Sequence, residues 1–382
     1  MNEKKRLLIA TDSYYPKRDG VVKFLGKVIP TLTAKYEITI LAPQFESKTR
    51  PIENTKIICL EVSKKFKLVD YPSIKLNIKN IKQIKNAVKE ADIIFAQDIA
   101  LVGALSIYYG RKYKKPVLNY MHQITWEHFA RVLPMHKLIG RLSYFFIKKY
   151  TRYFYNKCTL ILIPYKKLGK DIEKLGITTN KAIVKLGVNS DKFTPPEDKG
   201  KAKKKIGIPH HNIVIGYCGR ISKEKDLATL RRAYSRLKER YKNLFLLIIG
   251  GGVKEEIAKF RSLKDAKVTG FVKSVIPYLQ AMDIFIMPSL TETTSLATIE
   301  AMSTGLAVLT TKVGYIQDYI LDKYNGLFFP KHNDYILSKK IEILIKDMPA
   351  RTNLGINARK TVIQKFNWEN TINDIRAILS SF

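Results

Sequence analysis

The run Ile284-Phe-Ile-Met-Pro-Ser-Leu-Thr-Glu292-Thr-Thr-Ser-Leu-Ala-Thr-Ile-Glu300-Ala-Met-Ser-Thr-Gly305-Leu-Ala-Val-Leu-Thr310 reads as strand, hydroxyl-rich turn, helix, stop and strand. The residues from Ala281 to Met287 are strand-like, Ser295 to Ser303 suit a helix that Gly305 ends, and Ala307–Thr310 is again a short apolar run. A strand, a helix and a second strand at this spacing are the unit of a parallel sheet. The turn also carries chemistry. A strand running through hydroxyls into a helix N-terminus leaves backbone N–H groups and the helix dipole free to hold a phosphate. Glu292 and Glu300 would repel that phosphate but suit hydroxyls on either side of it, which outlines a nucleotide sugar. As plain residues, two acids at this separation are also an ordinary helix surface.

The same alternation runs outward in both directions. Apolar runs at Leu7–Ala10, Glu37–Leu41, Ile57–Leu60, Ile93–Ala96, Val117–Tyr120 and Leu160–Ile163 are separated by helical lengths. A second series follows at Ile213–Cys218, Phe245–Ile249, Lys267–Gly270, Ile284–Pro288, Ala307–Thr310 and Gly326–Phe329. Two such series imply an α/β chain of two doubly wound, Rossmann-like domains facing a central cleft. The expected division is 1–188, then 189–365, with the break near Gly187-Val-Asn-Ser-Asp-Lys-Phe-Thr-Pro-Pro196. A helix at 366–382 is expected to pack back on the first domain. At 382 residues the chain is long enough for two cores.

Composition bounds the setting. Hydrophobic residues make up 46% of the chain, too many for a disordered one. Cys59, Cys158 and Cys218 are odd in number and widely spaced, so neither a disulfide framework nor a metal-ligand pattern is expected, and a reducing cytoplasm fits. No apolar run approaches the ~18 residues of a membrane span. The net charge is +35; residues 1–190 hold 36 Lys/Arg against 14 Asp/Glu, and the remainder 32 against 19. Such a surface attracts nucleic acid, anionic lipid or anionic substrates.

Ligands of open α/β sheets bind at the carboxyl ends of strands, so the loops there matter most. After the first strand, Asp19-Gly20 is a turn in which Gly20 permits close backbone approach. After Ile213–Cys218 come Gly219-Arg220 and Lys225-Asp226; Arg220 offers a planar fork and Lys225 a mobile charge, and a tight loop could bring both to one diphosphate. Phe245-Leu-Leu-Ile-Ile-Gly-Gly-Gly252 lacks the spacing of a dinucleotide fingerprint and reads equally well as a close approach of backbone to the partner domain or a ligand. His122 stands at a strand end in Asn119-Tyr-Met-His122-Gln-Ile-Thr-Trp-Glu127-His128, a hydrogen-bonding site for a polar ligand, with Glu127 and His128 as weaker candidates.

In this order the motifs resemble the retaining glycosyltransferases of the glycosyl transferases group 1 family (family four), which have the GT-B fold. The resemblance rests on Gly219-Arg220-x4-Lys225-Asp226, Gly270-Phe-Val with Pro277, Asp283 to Pro288, the Glu292-x7-Glu300 pair ending Glu300-Ala-Met-x2-Gly305, Asn325-Gly-Leu-Phe-Phe-Pro330, and the junction Gly187-Val-Asn-x3-Phe193-x-Pro195. It implies an enzyme that moves a hexose, from UDP-glucose, GDP-mannose or a similar donor, with the anomeric configuration kept. Arg220 and Lys225 would bind the diphosphate, with the backbone of Thr293, Thr294, Ser295 and Leu296 also on it. Glu292 would hold the sugar and Glu300 the ribose, Phe271 and Val272 would meet the base, and Gly20 and His122 would approach the sugar. On this resemblance His122, Glu292, Arg220 and Lys225 are the catalytic candidates, and neither cofactor nor metal is needed. Many members have Glu-Gly-Phe-Gly at the first acid where this chain has Glu292-Thr-Thr-Ser, which points to an altered donor site.

The basic N-terminal half suggests the acceptor. Lys137 to Lys157 holds six basic residues, no acid and seven aromatics. At about 100° per residue, Lys137, Arg141, Lys148 and Arg152 share one side of a helix, and Leu142, Phe145, Phe146, Tyr150 and Tyr153 lie opposite. Such a segment is either a helix packed on the sheet or an interfacial helix on anionic lipid. Lys75, Lys79, Lys82, Lys85 and Lys89 line one side of an expected helix 75–89, read as an ordinary surface. The charge and the His122 region resemble the diacylglycerol glucosyltransferases and phosphatidylinositol mannosyltransferases. The expectation is therefore a cytoplasmic enzyme of glycolipid synthesis, peripheral at the inner membrane face, with a lipid acceptor. The alternatives are a cell-envelope oligosaccharide acceptor, a GT-B sugar-nucleotide epimerase or, outside the class, a nucleic-acid-binding protein. Neither a helix-turn-helix nor RNP-like strand aromatics support the last.

Overall fold

The computed structural model describes residues 4–17, 19–45, 51–68, 71–122 and 137–382, the side chains of 64–68, 71 and 137–143 excepted. Two compact units result: Met1–Lys185 with Thr371–Phe382, and Leu186–Asn370.

In the first unit β1 (Lys5–Ala10), β2 (Tyr36–Pro43) and β3 (Lys56–Leu60) precede an antiparallel ribbon of β4 (Val62–Leu68) and β5 (Tyr71–Ile74). Then come β6 (Ile93–Ala96), β7 (Val117–Tyr120), β8 (Leu160–Ile163) and β9 (Lys181–Ile183). Outside the ribbon the strands form one parallel sheet ordered β3-β2-β1-β6-β7-β8-β9. Strands covered by helices on both faces must be apolar on both faces, and Leu7 to Ala10 and Ile93 to Ala96 are buried throughout. The helices are α1 (Gly20–Leu32), α2 (Ile78–Glu90), α3 (Leu101–Lys112), α4 (Lys137–Tyr155) and α5 (Lys166–Glu173). Asp19 starts α1 by accepting from Val22 N at 2.9 Å, and its buried stripe runs Val21, Phe24, Leu25, Val28 and Leu32.

The second unit repeats the plan. Its strands β10 (Ile213–Cys218), β11 (Leu244–Ile249), β12 (Ala266–Val268), β13 (Ile284–Met287), β14 (Ala307–Thr310) and β15 (Leu327–Phe328) are parallel, ordered β12-β11-β10-β13-β14-β15. Around them lie α6 (Lys199–Lys205), α7 (Leu227–Lys238), α8 (Lys254–Arg261), α9 (Ile276–Ala281), α10 (Leu296–Ser303), α11 (Ile316–Tyr319), α12 (Asp334–Lys346) and α13 (Met348–Lys365). The last helix, α14 (Trp368–Ser380), belongs from Thr371 onward to the first unit. A buried ion pair aligns the two central strands. Lys203 Nζ lies 2.8 Å from Asp283 Oδ2 and donates to Asn212 O at 2.7 Å, while the same carboxylate accepts Val214 N at 2.7 Å.

In each sheet the strand order reverses beside the first strand, between β1 and β6 and between β10 and β13. The crevice at the carboxyl ends of those strands is where this fold binds ligands. All twelve strands expected from the apolar runs are present, some shifted by a residue or two at their ends. Three corrections apply. The ribbon β4–β5 and the edge strand β9 were not expected; Ala281 ends a helix, leaving the strand to begin at Ile284; and α10 starts at Leu296 rather than Ser295.

The helix α13 reaches the loop after α10 at glycine. A Cβ on Gly355 would stand 2.1 Å from Gly305 O, so no side chain fits there. Gly355→Ala is expected to push α13 away and cost about 1–3 kcal/mol of stability, read as a lowered urea midpoint at unchanged m-value.

Candidate active site

At the carboxyl end of β10 the chain turns through Gly219, whose φ of 152° favours glycine. Three glycines after β11 let a second loop cross it. A Cβ on Gly250 would lie 2.0 Å from Gly219 O, and one on Gly252 would lie 2.1 Å from Ile221 O. Ile221 N donates to Gly251 O at 2.8 Å, and Val253 N to Ile221 O at 2.9 Å. The triple glycine thus serves a backbone crossing, not a dinucleotide. The same glycine run seats Phe271, because a Cβ on Gly251 would come within 2.9 Å of its ring. That ring is largely exposed and Val272 partly so, at a turn where Gly270 takes φ 68°.

The next residues project across the reversal point. Arg220 has its carbonyl held by Tyr217 Oη at 2.9 Å, and its guanidinium stands 3.4 Å from Glu224 Oε1, leaving much of it exposed. Glu224 is buried and accepts Ser222 Oγ at 2.6 Å. Burial pushes its carboxyl upward, and the Ser222 hydroxyl, a backbone N–H, Arg220 and Lys225 together outweigh that and hold it below the usual carboxylate range. Lys225, at the end of a 3-10 turn over Lys223–Lys225, reaches Glu292 Oε1 at 2.6 Å, and Ser289 Oγ donates to the same oxygen at 2.7 Å. Both side chains of the ion pair are mostly buried. Residues separated by 67 positions therefore meet where β10 and β13 end.

Beyond Glu292 the backbone is pinned from the far side. Gly314 takes φ 50°, and a Cβ there would stand 1.8 Å from Glu292 O. Tyr315 N donates to Thr293 O at 2.8 Å, and Tyr319 Oη to Thr294 O at 3.0 Å. Burial first, then the Glu292 charge, pushes the Tyr217 and Tyr319 phenols far up, so both remain protonated donors. Ser295 adopts a left-handed conformation (φ 56°) and spends its hydroxyl on Thr298 Oγ1 at 2.8 Å. No side chain caps α10, so the first N–H groups at Leu296 are aimed out of the helix where an anion would satisfy them. The buried Thr294 hydroxyl has no hydrogen-bond partner among the described residues. Glu300 is buried one turn further along α10.

The first unit offers a different chemistry at its own reversal point. His122, after β7, packs on Tyr120 at 4.5 Å and on Phe24 of α1 at 4.9 Å, with one edge still accessible. Gly20, exposed, opens that same helix. Gln97 spends its amide on Phe95 O at 3.3 Å, so its Oε1 accepts from His122 Nε2 at 3.0 Å, which leaves Nδ1 as an acceptor. Burial pushes the imidazole down to about 3, so His122 is a neutral hydrogen-bonding group rather than an acid–base residue. Nearby, Asp12 accepts Val102 N and Gly103 N at the start of α3, and Asp98 accepts Asp12 N at 3.1 Å. Burial and then the Asp12 charge raise the Asp98 carboxyl well above its usual range. This cross-latched pair was not expected from the sequence. Glu127 and His128 lie outside the described residues.

On α4 the exposed arc carries Phe145 (50% exposed), Phe146 (58%) and Tyr153 (49%) with Lys149 and Arg152 among them. Lys149 Nζ sits 4.5 Å from the Phe145 ring centre. Thr151 and Tyr155 face inward, and Tyr150 donates to Ile99 O at 2.6 Å. Lys148 is a correction: it is half-buried, over the Tyr144 ring at 4.3 Å, and not on the open arc. The side chains of Lys137 and Arg141 lie outside the described ones.

Two doubly wound units, one with a cation and carboxylates around an uncapped helix N-terminus, define the GT-B glycosyltransferase class. Comparison with known proteins agrees. The Glycosyl transferases group 1 family model matches residues 198–361. Alpha-monoglucosyldiacylglycerol synthase of Acholeplasma laidlawii is 24% identical over 358 residues, covering 87% of this chain and 86% of that protein. Sulfoquinovosyl transferase SQD2 of Arabidopsis thaliana is 30% identical over 236 residues, 59% of this chain but only 45% of that protein. Among solved structures, Anabaena HepE in complex with UDP and glucose superposes with a TM-score of 0.77 at 16% identity, over 100% of both chains. WaaG, a glycosyltransferase involved in lipopolysaccharide biosynthesis, gives 0.75 at 16% identity over 96% of this chain and 98% of that one. The group 1 match falls in the second unit, and the chain is a glycosyltransferase with the GT-B fold.

The His122 environment sets a pH dependence. Its folded pKa lies below the unfolded value, so its share of stability is complete above about pH 6.5 and is lost as the unfolded state takes up a proton on acidification. Between about pH 7.5 and about pH 5 this costs about 2 kcal/mol. His122→Gln is expected to lose correspondingly less over that interval, measured from urea midpoints at the two pH values.

Proposed function

We propose that the enzyme transfers a hexose from a nucleotide-diphosphate sugar, with retention, to a hydroxyl of a membrane lipid. The observation that carries the donor half is the meeting of Lys225, Glu292 and the uncapped α10 N-terminus at the β10–β13 reversal. A diphosphate entering there would be held by Lys225, the Arg220 fork and the backbone of Thr293 to Leu296. Glu292 would hold sugar hydroxyls, Glu300 the ribose, and Phe271 and Val272 the base. The Anabaena structure in complex with UDP and glucose and the glucosyldiacylglycerol synthase support this assignment of substrates.

In this mechanism the acceptor hydroxyl attacks the anomeric carbon on the face from which the diphosphate leaves, and the departing phosphate oxygen takes its proton. The glycosidic bond forms as the sugar–phosphate bond breaks, and the nucleoside diphosphate carries the charge away. Arg220, Lys225 and the α10 N-terminus stabilise that charge without a metal. Removing one such donor costs about 10²–10³ in rate, so Arg220→Ala and Lys225→Ala are each expected to lower kcat/KM by that order, with EDTA leaving wild-type turnover unchanged.

The acceptor half rests on α4. A helix packed only against its own sheet turns its aromatics inward, whereas here Phe145, Phe146 and Tyr153 stand outward between cations. The helices α2 and α4 both pack against α3, on which Tyr108, Arg111 and Lys112 are exposed. In these three helices Glu90 is the only acid. Each cation near an anionic surface contributes about 1 kcal/mol, enough in sum for reversible binding with the enzyme at the inner face of the membrane. Incubation with labelled UDP-glucose or GDP-mannose, with and without anionic diacylglycerol liposomes, is expected to give product only with lipid. Product on a soluble oligosaccharide instead, or interconversion of the free nucleotide sugar, overturns the reading. Phe145→Ser with Phe146→Ser is expected to weaken liposome sedimentation while nucleotide binding stays intact.

A further inference from the structure

Two non-glycine residues of the second unit hold left-handed backbone conformations and touch each other. Asp226 has φ 44° and His332 φ 60°. His332 Nδ1 lies 3.1 Å from Asp226 Oδ2, with side chains 65% and 9% exposed. Asp and His are among the residue types that tolerate this region, yet each still costs free energy unless its surroundings hold it there. Asp226 is held twice more: its carboxylate accepts Thr229 Oγ1 at 2.8 Å, and its carbonyl accepts Thr229 N at 3.1 Å.

The position of Asp226 matters because of its neighbours. Glu224 O accepts Leu290 N at 2.8 Å, Lys225 pairs with Glu292, and Asp226 pairs with His332. Three consecutive residues thus bind the loop after β10 to the loop after β13 on one side and to the loop after β15 on the other. Other charges face the pair. Lys223, Glu224 and Lys225 share its loop; Arg232 of α7 donates to Thr229 Oγ1 at 3.3 Å; Lys331 precedes His332; and Asp334 of α12 takes Arg232 and Arg236 at 2.9 Å each.

We propose that His332 is a positioning residue for the donor site: by gripping Asp226 it fixes the left-handed turn from which Lys225 is presented. Resting on the reading of Lys225 as a diphosphate ligand, this adds a brace to it. The imidazole donates a hydrogen bond to the Asp226 carboxylate.

Steady-state kinetics with the donor that supports turnover tests the brace. His332→Ala is expected to raise the donor KM about two- to fivefold, the range of a partly exposed ion pair, with kcat and the melting temperature little changed. His332→Gln, which keeps a hydrogen-bond donor, is expected to restore most of the wild-type donor KM. Asp226→Gly keeps the backbone conformation without a carboxylate, so it is expected to resemble His332→Ala, and the double variant to add nothing. A wild-type donor KM in His332→Ala, while Lys225→Ala raises that KM, overturns the brace alone. An unchanged donor KM in Lys225→Ala overturns the diphosphate assignment and the brace with it.

Discussion

The ion pair between Lys225 and Glu292 is the constraint around which the second unit is arranged. Two charges withdrawn from water are costly unless each finds its partner and further hydrogen bonds, and removing one strands the other. Here the lysine comes from the loop after β10 and the carboxylate from the loop after β13, so the pair exists only if the strand order reverses between them. Every neighbouring feature serves that meeting. Ser289 adds a donor to the carboxylate, Gly314 admits the Glu292 backbone, and the buried Lys203–Asp283 pair sets the two strands in step. The pair also leaves a cation and an anion preorganised beside an uncapped helix, a placement that costs no reorganisation when a ligand's charge arrives.

Much of this was legible in the sequence because parallel strands buried on both faces are continuous apolar runs. Leu244 to Ile249 and Ile93 to Ala96 could hardly be anything else. The edge strand Lys181–Ile183 and the ribbon at Val62–Leu68 escaped for the converse reason, since a short or lysine-rich edge has no such run. The site was legible as a set of residue types at strand ends, and its pairings were not. Nothing in spacing says that Lys225 meets Glu292, that Asp226 meets His332, or that Asp12 takes the N–H groups of α3. Backbone conformation was equally silent: Ser295 and Asp226 are left-handed where composition suggests ordinary turn residues. The triple glycine was read as a close approach to the partner domain or a ligand, whereas the structure identifies the approaching backbone as Gly219 to Ile221 of the same unit.

Helix α4 shows how a periodic pattern can be right and its orientation open. The aromatic and basic arcs were both visible in the sequence, but which arc faces the sheet depends on neighbours that no helical wheel contains. Among the described side chains Thr151 and Tyr155 face inward and Tyr150 reaches Ile99 O, while Phe145, Phe146 and Tyr153 stand outside. On the proposed reading an apolar phase covers the outward Phe145 and Phe146, and the cations among them favour an anionic one.

The two reversal points also differ in how they treat charge. In the second unit Lys225, Glu292, Glu224 and Asp226 all have partners at hydrogen-bond distance, and those around Glu224 hold its carboxyl below the usual range. In the first, burial holds His122 neutral and pushes Asp98 toward its protonated form. A diphosphate brings its own charge and rewards a site already ionised, because the leaving group becomes more anionic as the bond breaks. An alcohol brings none, and a neutral surface with hydrogen-bond acceptors suits it without the penalty of desolvating ions. On the proposed reading the chain therefore divides its labour: hydrogen-bonded acidic and basic side chains are gathered in the unit that takes the phosphate, a neutral His122 stands at the reversal point of the one that takes the hydroxyl, and the excess of lysine is left to the outer helices of the latter.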